Sequence, residues 1–319
     1  MPLRFTPPLV TVFGGGGFIG RYVCEYLLRS GVRVRVAQRH PRKAFFLQPL
    51  AQVGQIDFVP ADVTQPSSVE LAVSGADAVV NLVAVMGRGM TDINVDGAAN
   101  VARASAAAGA GALVQVSAIG ADPNAKSEYG QSKGRGEAAV KAAFPGATIV
   151  RPSLVFGPED QLTNRFAQLL AMLPFYPVIA PDTKFQPVYV RDLGQAIAKA
   201  ALEPEKHGGK TYEIGGPDVL TMRGLTAEIG RLSGHPKELI DMPSFASSAL
   251  ARLGFLPGAP LTWDQWLMLQ QNNVAAKKSK GLTEFGLAPT PLSAVGAEWL
   301  GRFREGGRFK PRADTVSAG

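Results

Sequence analysis

Tyr129 and Lys133 stand four residues apart in Tyr129-Gly130-Gln131-Ser132-Lys133, the spacing that puts two side chains on one helix face. An ammonium held beside a phenol favours the phenolate, and such a tyrosine exchanges a proton with a carbonyl or an alcohol. Ser117 closes the apolar run at residues 113–117 and is placed to hold the oxygen of that substrate. Tyr129, Lys133 and Ser117 are therefore the candidate catalytic residues. Tyr-x-x-x-Lys arises often by chance; its weight here comes from opening the helix that follows the fifth apolar run.

A second chemistry-bearing cluster lies near the N-terminus, where Val10-Thr11-Val12-Phe13 runs into Gly14-Gly15-Gly16-Gly17-Phe18-Ile19-Gly20. Strand, tight turn and helix are expected there, with Gly14, Gly17 and Gly20 at G-x-x-G-x-x-G spacing. That spacing suits a turn of unusual φ/ψ, a backbone approached closely by a pyrophosphate, and a helix packed close to its strand. The pyrophosphate of a dinucleotide then rests on the N–H groups of the helix N-terminus, which assigns Gly14, Gly16, Gly17, Phe18 and Ile19 to the cofactor.

The second apolar run ends in Ala37-Gln38-Arg39-His40-Pro41-Arg42-Lys43, and the next acid is Asp57. Sheets that bind NAD place an Asp or Glu here for the ribose 2′-hydroxyl, whereas arginine accommodates a 2′-phosphate. Arg39, with Lys43, therefore points to NADP(H) over NAD(H), which stays the alternative cofactor. Asp62-Val63 follows the third run, where a carboxylate reaches an adenine amino group. Asn81-Leu82-Val83-Ala84 ends the fourth beside the expected nicotinamide ribose, so Leu82, Val83 and Ala84 join the cofactor set.

The elements that must position these residues alternate. Strands are expected at residues 9–13, 32–37, 56–59, 78–83, 113–117 and 147–151, and helices at 18–30, 65–74, 92–108 and 129–143. Near-continuously apolar strands separated by helices imply a parallel sheet covered on both faces. The expected fold is α/β, a Rossmann-type doubly wound parallel sheet over residues 1–151 with a smaller, irregular C-terminal lobe over 152–319. Parts of 186–216 are expected to return to the sheet. Prolines multiply beyond Pro152, and a lobe of that kind usually supplies substrate or partner contacts.

The chain has 319 residues, 46% of them hydrophobic, enough for a large core. Its one cysteine, Cys24, excludes an internal disulfide and points to a reducing compartment. His40, His207 and His235 lie far apart, and no metal site is expected. No segment reads as a signal peptide or a membrane span, and the N-terminus is too short for a transit peptide. The net charge of +7 comes partly from Lys277, Lys278, Lys280, Arg302, Arg304, Arg308, Lys310 and Arg312. Those cations suit a solvated face or an anionic membrane surface. No nucleic-acid motif accompanies them, so no nucleic-acid partner is expected.

Together the glycine fingerprint, Asp62-Val63, Asn94-x-x-Gly97-x-x-Asn100, Ser117, Tyr129/Lys133 and Arg151-Pro152-Ser153-Leu154-Val155-Phe156-Gly157-Pro158 resemble the short-chain dehydrogenase/reductase superfamily. The last block is typical of its extended and atypical branches, where the chain crosses into the substrate lobe. The resemblance adds Pro152 and Val155, with Tyr129 and Lys133, to the cofactor-binding residues. A closer similarity joins Gly17-Phe18-Ile19-Gly20-Arg21-Tyr22-Val23, Phe144-Pro145-Gly146-Ala147, Phe156-Gly157-Pro158-Glu159-Asp160 and Gln186-Pro187-Val188-Tyr189-Val190-Arg191-Asp192 to the nucleotide-binding accessory subunits of respiratory complex I. It runs from about Val10 to about Ala201.

In that family an atypical dehydrogenase holds NADPH tightly on the hydrophilic arm near the membrane, in a structural role. The resemblance thus implies complex I subunits and the membrane surface as partners. For a bacterial relative it implies a cytoplasmic protein, peripheral on the inner face of the inner membrane. The intact Tyr129/Lys133 pair supports a different function, a free NADP-dependent reductase or dehydrogenase of a small carbonyl or alcohol, steroid-like or isoprenoid. Gly130, Gly134 and Gly136 interrupt the helix carrying that pair, each costing about 1 kcal/mol against alanine, which suits either close backbone approach to cofactor or a looser site.

Overall fold

The computed structural model describes residues 7–256, 261–304 and 306–307; Arg308, Lys310 and Arg312 lie outside them. Seven parallel strands form one sheet, in the spatial order Thr211–Ile214, β6, β5, β4, β1, β2, β3. These are β1 (Leu9–Phe13), β2 (Arg33–Gln38), β3 (Ile56–Pro60), β4 (Ala78–Asn81), β5 (Ala112–Val116) and β6 (Thr148–Pro152). Central β1, β4 and β5 are buried throughout, whereas the edge strand β3 is half-exposed. That gradient explains why β1 is apolar but for the buried Thr11 while β2 alternates Arg33, Val34, Arg35, Val36.

Side chains alternate across the strands, so each face acquires its own core. Val10, Val12, Val34, Val36, Val80 and Val114 pack on one side against α1 (Phe18–Arg29) and α6 (Val190–Leu202). Phe13, Val79, Leu113 and Ile149 pack on the other against α2 (Pro66–Val73), α3 (Ala98–Ala107) and α4 (Glu128–Ala143). The fold is therefore a doubly wound, Rossmann-type α/β sheet, driven together by apolar burial on both faces. A third core joins Phe156, Tyr189, Leu225, Ile229 and Trp299 beneath α5 (Gln161–Met172) and the helix Met222–Ser233.

Boundaries shift where side chains compete with the backbone ladder. β4 stops at Asn81 rather than at 83, because the Asn81 side-chain oxygen Oδ1 accepts the Val83 N–H at 3.1 Å and turns the chain. The helix expected from 92 begins instead as a wider π-type turn, Thr91–Gly97, before α3. There Asn94 accepts the Val85 N–H and donates to the Val85 carbonyl and the Ser132 hydroxyl. Asn100 braces Val63 through its carbonyl at 2.9 Å. No helix among the described residues is long and apolar enough to cross a membrane.

Candidate functional site

At the carboxyl ends of β1 to β4 the sheet opens into a cleft of about 270 Å³. Its walls are Phe13, Gly14, Gly17, Ala37, Gln38, Arg39, Ala61, Asp62, Val63, Leu82, Val83, Ala84, Val85 and Ile93. Gly14, Gly17, Arg39, Asp62, Val63, Leu82, Val83 and Ala84 from the expected cofactor set thus meet in one place. The turn that makes this possible requires glycine at Gly14, whose φ of +77° is left-handed. Close packing requires it at Gly20, where an added Cβ would fall 2.3 Å from the Gly14 carbonyl oxygen. At Gly17 an added Cβ meets only that oxygen, at 3.2 Å, and otherwise projects into the cleft. Gly17 also begins α1 without a side-chain cap, leaving the positive end of the helix dipole beside the cleft. A glycine floor, an uncapped helix start and an acid across the cleft fit a dinucleotide.

Asp62 is held below the ordinary carboxylate range, first by the Thr64 N–H, then by the Thr64 hydroxyl and the Arg39 charge. Both Thr64 bonds fall on Oδ1, at 3.0 and 2.8 Å. Arg39 is exposed at the rim.

Other expected cofactor residues sit elsewhere. The Gly16 N–H is occupied by the Gln38 side chain at 3.1 Å, and Gly16 does not line the cleft. Phe18 turns its ring edge-on to Tyr22, and Ile19 packs between two cores, so only their backbone belongs to the uncapped helix start. Lys43 is exposed on the 3₁₀ segment Pro41–Leu50, outside the lining. Pro152 ends β6, and Val155 pairs with Val188 in a two-stranded ladder. Gln38 is a lining residue that the sequence reading passed over, although it occupies the strand-end position where an acid was sought.

Tyr129 and Lys133 face a separate, smaller cavity of about 40 Å³, shared with Ala118, Ser127, Leu267, Met268, Gln271, Asn272 and Asn273. Ser117 does not line it, and its buried hydroxyl has no hydrogen-bond partner among the described residues. Lys133 is 3% exposed and donates to the Val116 carbonyl at 2.8 Å. Burial lowers its ammonium to about 8, partly offset by Glu137. The same desolvation pushes the Tyr129 phenol up to about 12. The phenolate expected from the lysine is therefore not favoured here, because burial outweighs any help from Lys133, whose hydrogen bond goes to the backbone.

Two of the α4 glycines sit where the helix packs closely against other backbone. A Cβ at Gly134 would fall 2.4 Å from the Asp122–Pro123 backbone, and one at Gly136 would fall 2.2 Å from the Asn94 carbonyl oxygen. Arg151 of the crossing block grips Glu137 through two bonds, 2.8 and 2.7 Å, and also faces Glu213. It is a brace of α4 to the sheet.

The far wall of the small cavity comes from the C-terminal part of the chain. Asp264, on the helix Trp263–Leu269, accepts the N–H groups of Glu128 and Tyr129 at 2.6 and 3.2 Å, capping α4 beside Ser127. Beyond it, Asn272 accepts the Lys184 N–H, and Asn273 accepts the Ser153 hydroxyl and the Gln186 N–H. Ala276 donates to Glu213 at 2.8 Å. Residues 263–276 thus form a strap stitched across the Tyr129/Lys133 end of the sheet.

The family model described as "NAD dependent epimerase/dehydratase family" matches residues 10–215. The chain is 32% identical over 305 residues to the mitochondrial NADH dehydrogenase [ubiquinone] 1 alpha subcomplex subunit 9 of Rattus norvegicus, covering 93% of this chain and 80% of that protein. It is 32% identical over 200 residues to a ceramide reductase of Caulobacter vibrioides, covering 61% of this chain and 62% of that one. An NADPH-dependent quinone oxidoreductase from Escherichia coli, solved with NADPH, superposes with a TM-score of 0.72 at 19% identity, over 91% of this chain and 99% of that one. That likeness shows the fold. With the fingerprint, the sheet order and a match over most of the sheet in agreement, the chain belongs to the NAD dependent epimerase/dehydratase family.

Proposed function

We propose that this chain is an NADPH-binding, short-chain dehydrogenase-like subunit or assembly factor of a membrane-associated NADH:quinone oxidoreductase, and that the dinucleotide orders its structure instead of turning over a substrate. The observation that carries the reading is the contrast between the two ends of the site. The cleft at the glycine fingerprint has about 270 Å³, whereas the Tyr129/Lys133 cavity has about 40 Å³, room for little more than a few waters. The chain's own strap walls that small cavity through Leu267, Met268, Gln271, Asn272 and Asn273. Similarity to the rat subunit over 93% of this chain supports the same role.

Arg39 at the rim and the absence of an acid at the end of β2 favour NADPH, with NADH the alternative occupant. Gly14, Gly17 and the start of α1 would hold the pyrophosphate, Asp62 the adenine, and Leu82 to Ala84 the nicotinamide side. On this reading the partners are complex I subunits and the membrane surface, and the protein sits on the cytoplasmic side of a bacterial inner membrane.

The similarity to ceramide reductase favours a second reading, a free NADP-dependent reductase or dehydrogenase of a carbonyl or alcohol. In it NADPH supplies hydride when bound, Tyr129 donates the proton, Lys133 holds charge beside it and Ser117 holds the substrate oxygen. Two variants separate the readings. Tyr129→Phe keeps the ring and removes the proton donor, so a structural subunit should retain NADPH and still co-migrate with the respiratory complex in solubilised membranes. Gly17→Val puts a branched side chain into the pyrophosphate position and should lose both. Respiration that fails in Tyr129→Phe as completely as in a deletion would establish the reductase instead.

A further inference from the structure

The 3₁₀ segment Pro41–Leu50, between β2 and β3, sorts its side chains by its three-residue turn. Ala44 and Leu47 point inward and are buried. The two remaining rows are Arg42, Phe45, Gln48 and Lys43, Phe46, Pro49, and every one of these residues is exposed. Each row thus carries a cation and, one turn on, a phenylalanine. Phe45 and Phe46 stay 46% and 45% exposed, and Leu50 and Val53 extend the apolar surface past the segment. The rings are held in place: Phe45 stands edge-on to Phe58 of β3 at 5.1 Å, and the Arg21 guanidinium lies 4.8 Å over Phe46. Arg21 is itself paired with Glu159. Arg42 and Lys43 enter no ion pair among the described residues, and neither lines the cleft. No Asp or Glu stands between Glu25 and Asp57, and Asp57 faces Arg35.

We propose that this face docks on an anionic phospholipid bilayer, an inference that rests on the membrane-associated reading above and assigns its contact. Charge selects the occupant. Unpaired cations call for anions, and rings exposed in the same two rows call for apolar matter at nearly the same depth. The boundary between headgroups and acyl chains in an anionic leaflet supplies both, phosphate to Arg42 and Lys43 and hydrocarbon to Phe45, Phe46 and Leu50. Another exposed apolar set lacks that pairing. Phe245, Leu253 and Phe255, on and just beyond the helix Ser244–Arg252, lie in a stretch from 242 to 263 whose single charged side chain is Arg252. On this assignment the bilayer runs along the β3 edge of the sheet, next to the rim where Arg39 stands.

Flotation of the purified full chain tests this, with vesicles of phosphatidylcholine alone and of phosphatidylcholine with phosphatidylglycerol at roughly two to one. Wild type is expected to float with the anionic vesicles, to stay behind with the neutral ones, and to be released by added salt. Arg42→Gln combined with Lys43→Gln should weaken anionic binding by about twentyfold. That variant should melt at the wild-type temperature, because both side chains are exposed. Phe45→Ala should also weaken binding, whereas Phe245→Ala should not. Equal binding to neutral vesicles overturns the proposal, as does undiminished binding by either the glutamine pair or Phe45→Ala. Loss in Phe245→Ala alone moves the contact to the other apolar set and overturns it too. Flotation without co-migration with the respiratory complex keeps the surface and overturns the reading beneath it. Co-migration without flotation does the reverse, and if the glutamine pair then abolishes co-migration, the face belongs to an acidic protein and not to lipid.

Discussion

Lys133 lies in a buried setting, its ammonium brought down to about 8 by loss of water. The sign of its effect on stability follows. In the unfolded chain lysine holds its proton to about pH 10.4, so between about 8 and 10.4 the unfolded state binds more protons than the folded one. Stability should therefore rise with pH across that window, at up to about 1.4 kcal/mol per pH unit, while below pH 8 the buried charge is a standing cost. Lys133→Met should remove that slope. Urea denaturation of both proteins at several pH values from 7.5 to 10 measures it, and parallel profiles would show that Lys133 is hydrated in the fold. Tyr129, raised to about 12, stays a phenol throughout this range.

At the scale of elements, α4 is a continuous helix although Gly130, Gly134 and Gly136 interrupt its sequence. Propensity alone predicts that Gly136→Ala stabilises such a helix by about 1 kcal/mol. The structure predicts the reverse. The added methyl would fall 2.2 Å from the Asn94 carbonyl oxygen, and α4 would have to move off the Thr91–Gly97 turn. Overpacking of this kind costs about 1–3 kcal/mol, so the variant should unfold at lower urea. A variant that unfolds at higher urea would show that this glycine serves no close packing. The glycines were legible as an anomaly in the sequence, but their reason was not, because the backbone that obstructs Gly134 and Gly136 lies outside the helix, at Asp122–Pro123 and at Asn94.

For the whole molecule, a dinucleotide held in the cleft touches the loops after four strands of the sheet at once, so binding should stabilise the fold globally. A ligand at a hundred times its dissociation constant contributes about 2.7 kcal/mol. For a chain of this size that corresponds to a rise in melting temperature of roughly 5 °C or somewhat more. NADPH should produce such a shift in wild type and equally in Tyr129→Phe, and none in Gly17→Val. A shift lost in Tyr129→Phe would mean that the phenol holds the cofactor. The described basic residues near the C-terminus differ in their partners. Arg302 and Arg304 bond to Asn164 and the Leu232 carbonyl, while Lys277, Lys278 and Lys280 are exposed.

By itself the sequence determined the class of fold and the cradle. Apolar period, β-branched runs and glycine spacing are local signals, and each strand from β1 to β6 was legible in them to within a few residues. Gly14, Gly17, Arg39 and Asp62 were readable because the strand that precedes each one dictates where its loop emerges. The tertiary structure alone decided what the other end of the site contains. Asp264 reaches the head of α4 across 136 residues, and no spacing in the chain announces that bond. Gln38 turns its amide toward Gly16, a contact between the end of β2 and the glycine loop. Such contacts depend on complementary shapes and polar partners meeting after long loops have closed. Local periodicity carries no record of that meeting, which is why the residues that wall the Tyr129/Lys133 cavity from the C-terminal side were not legible in the sequence.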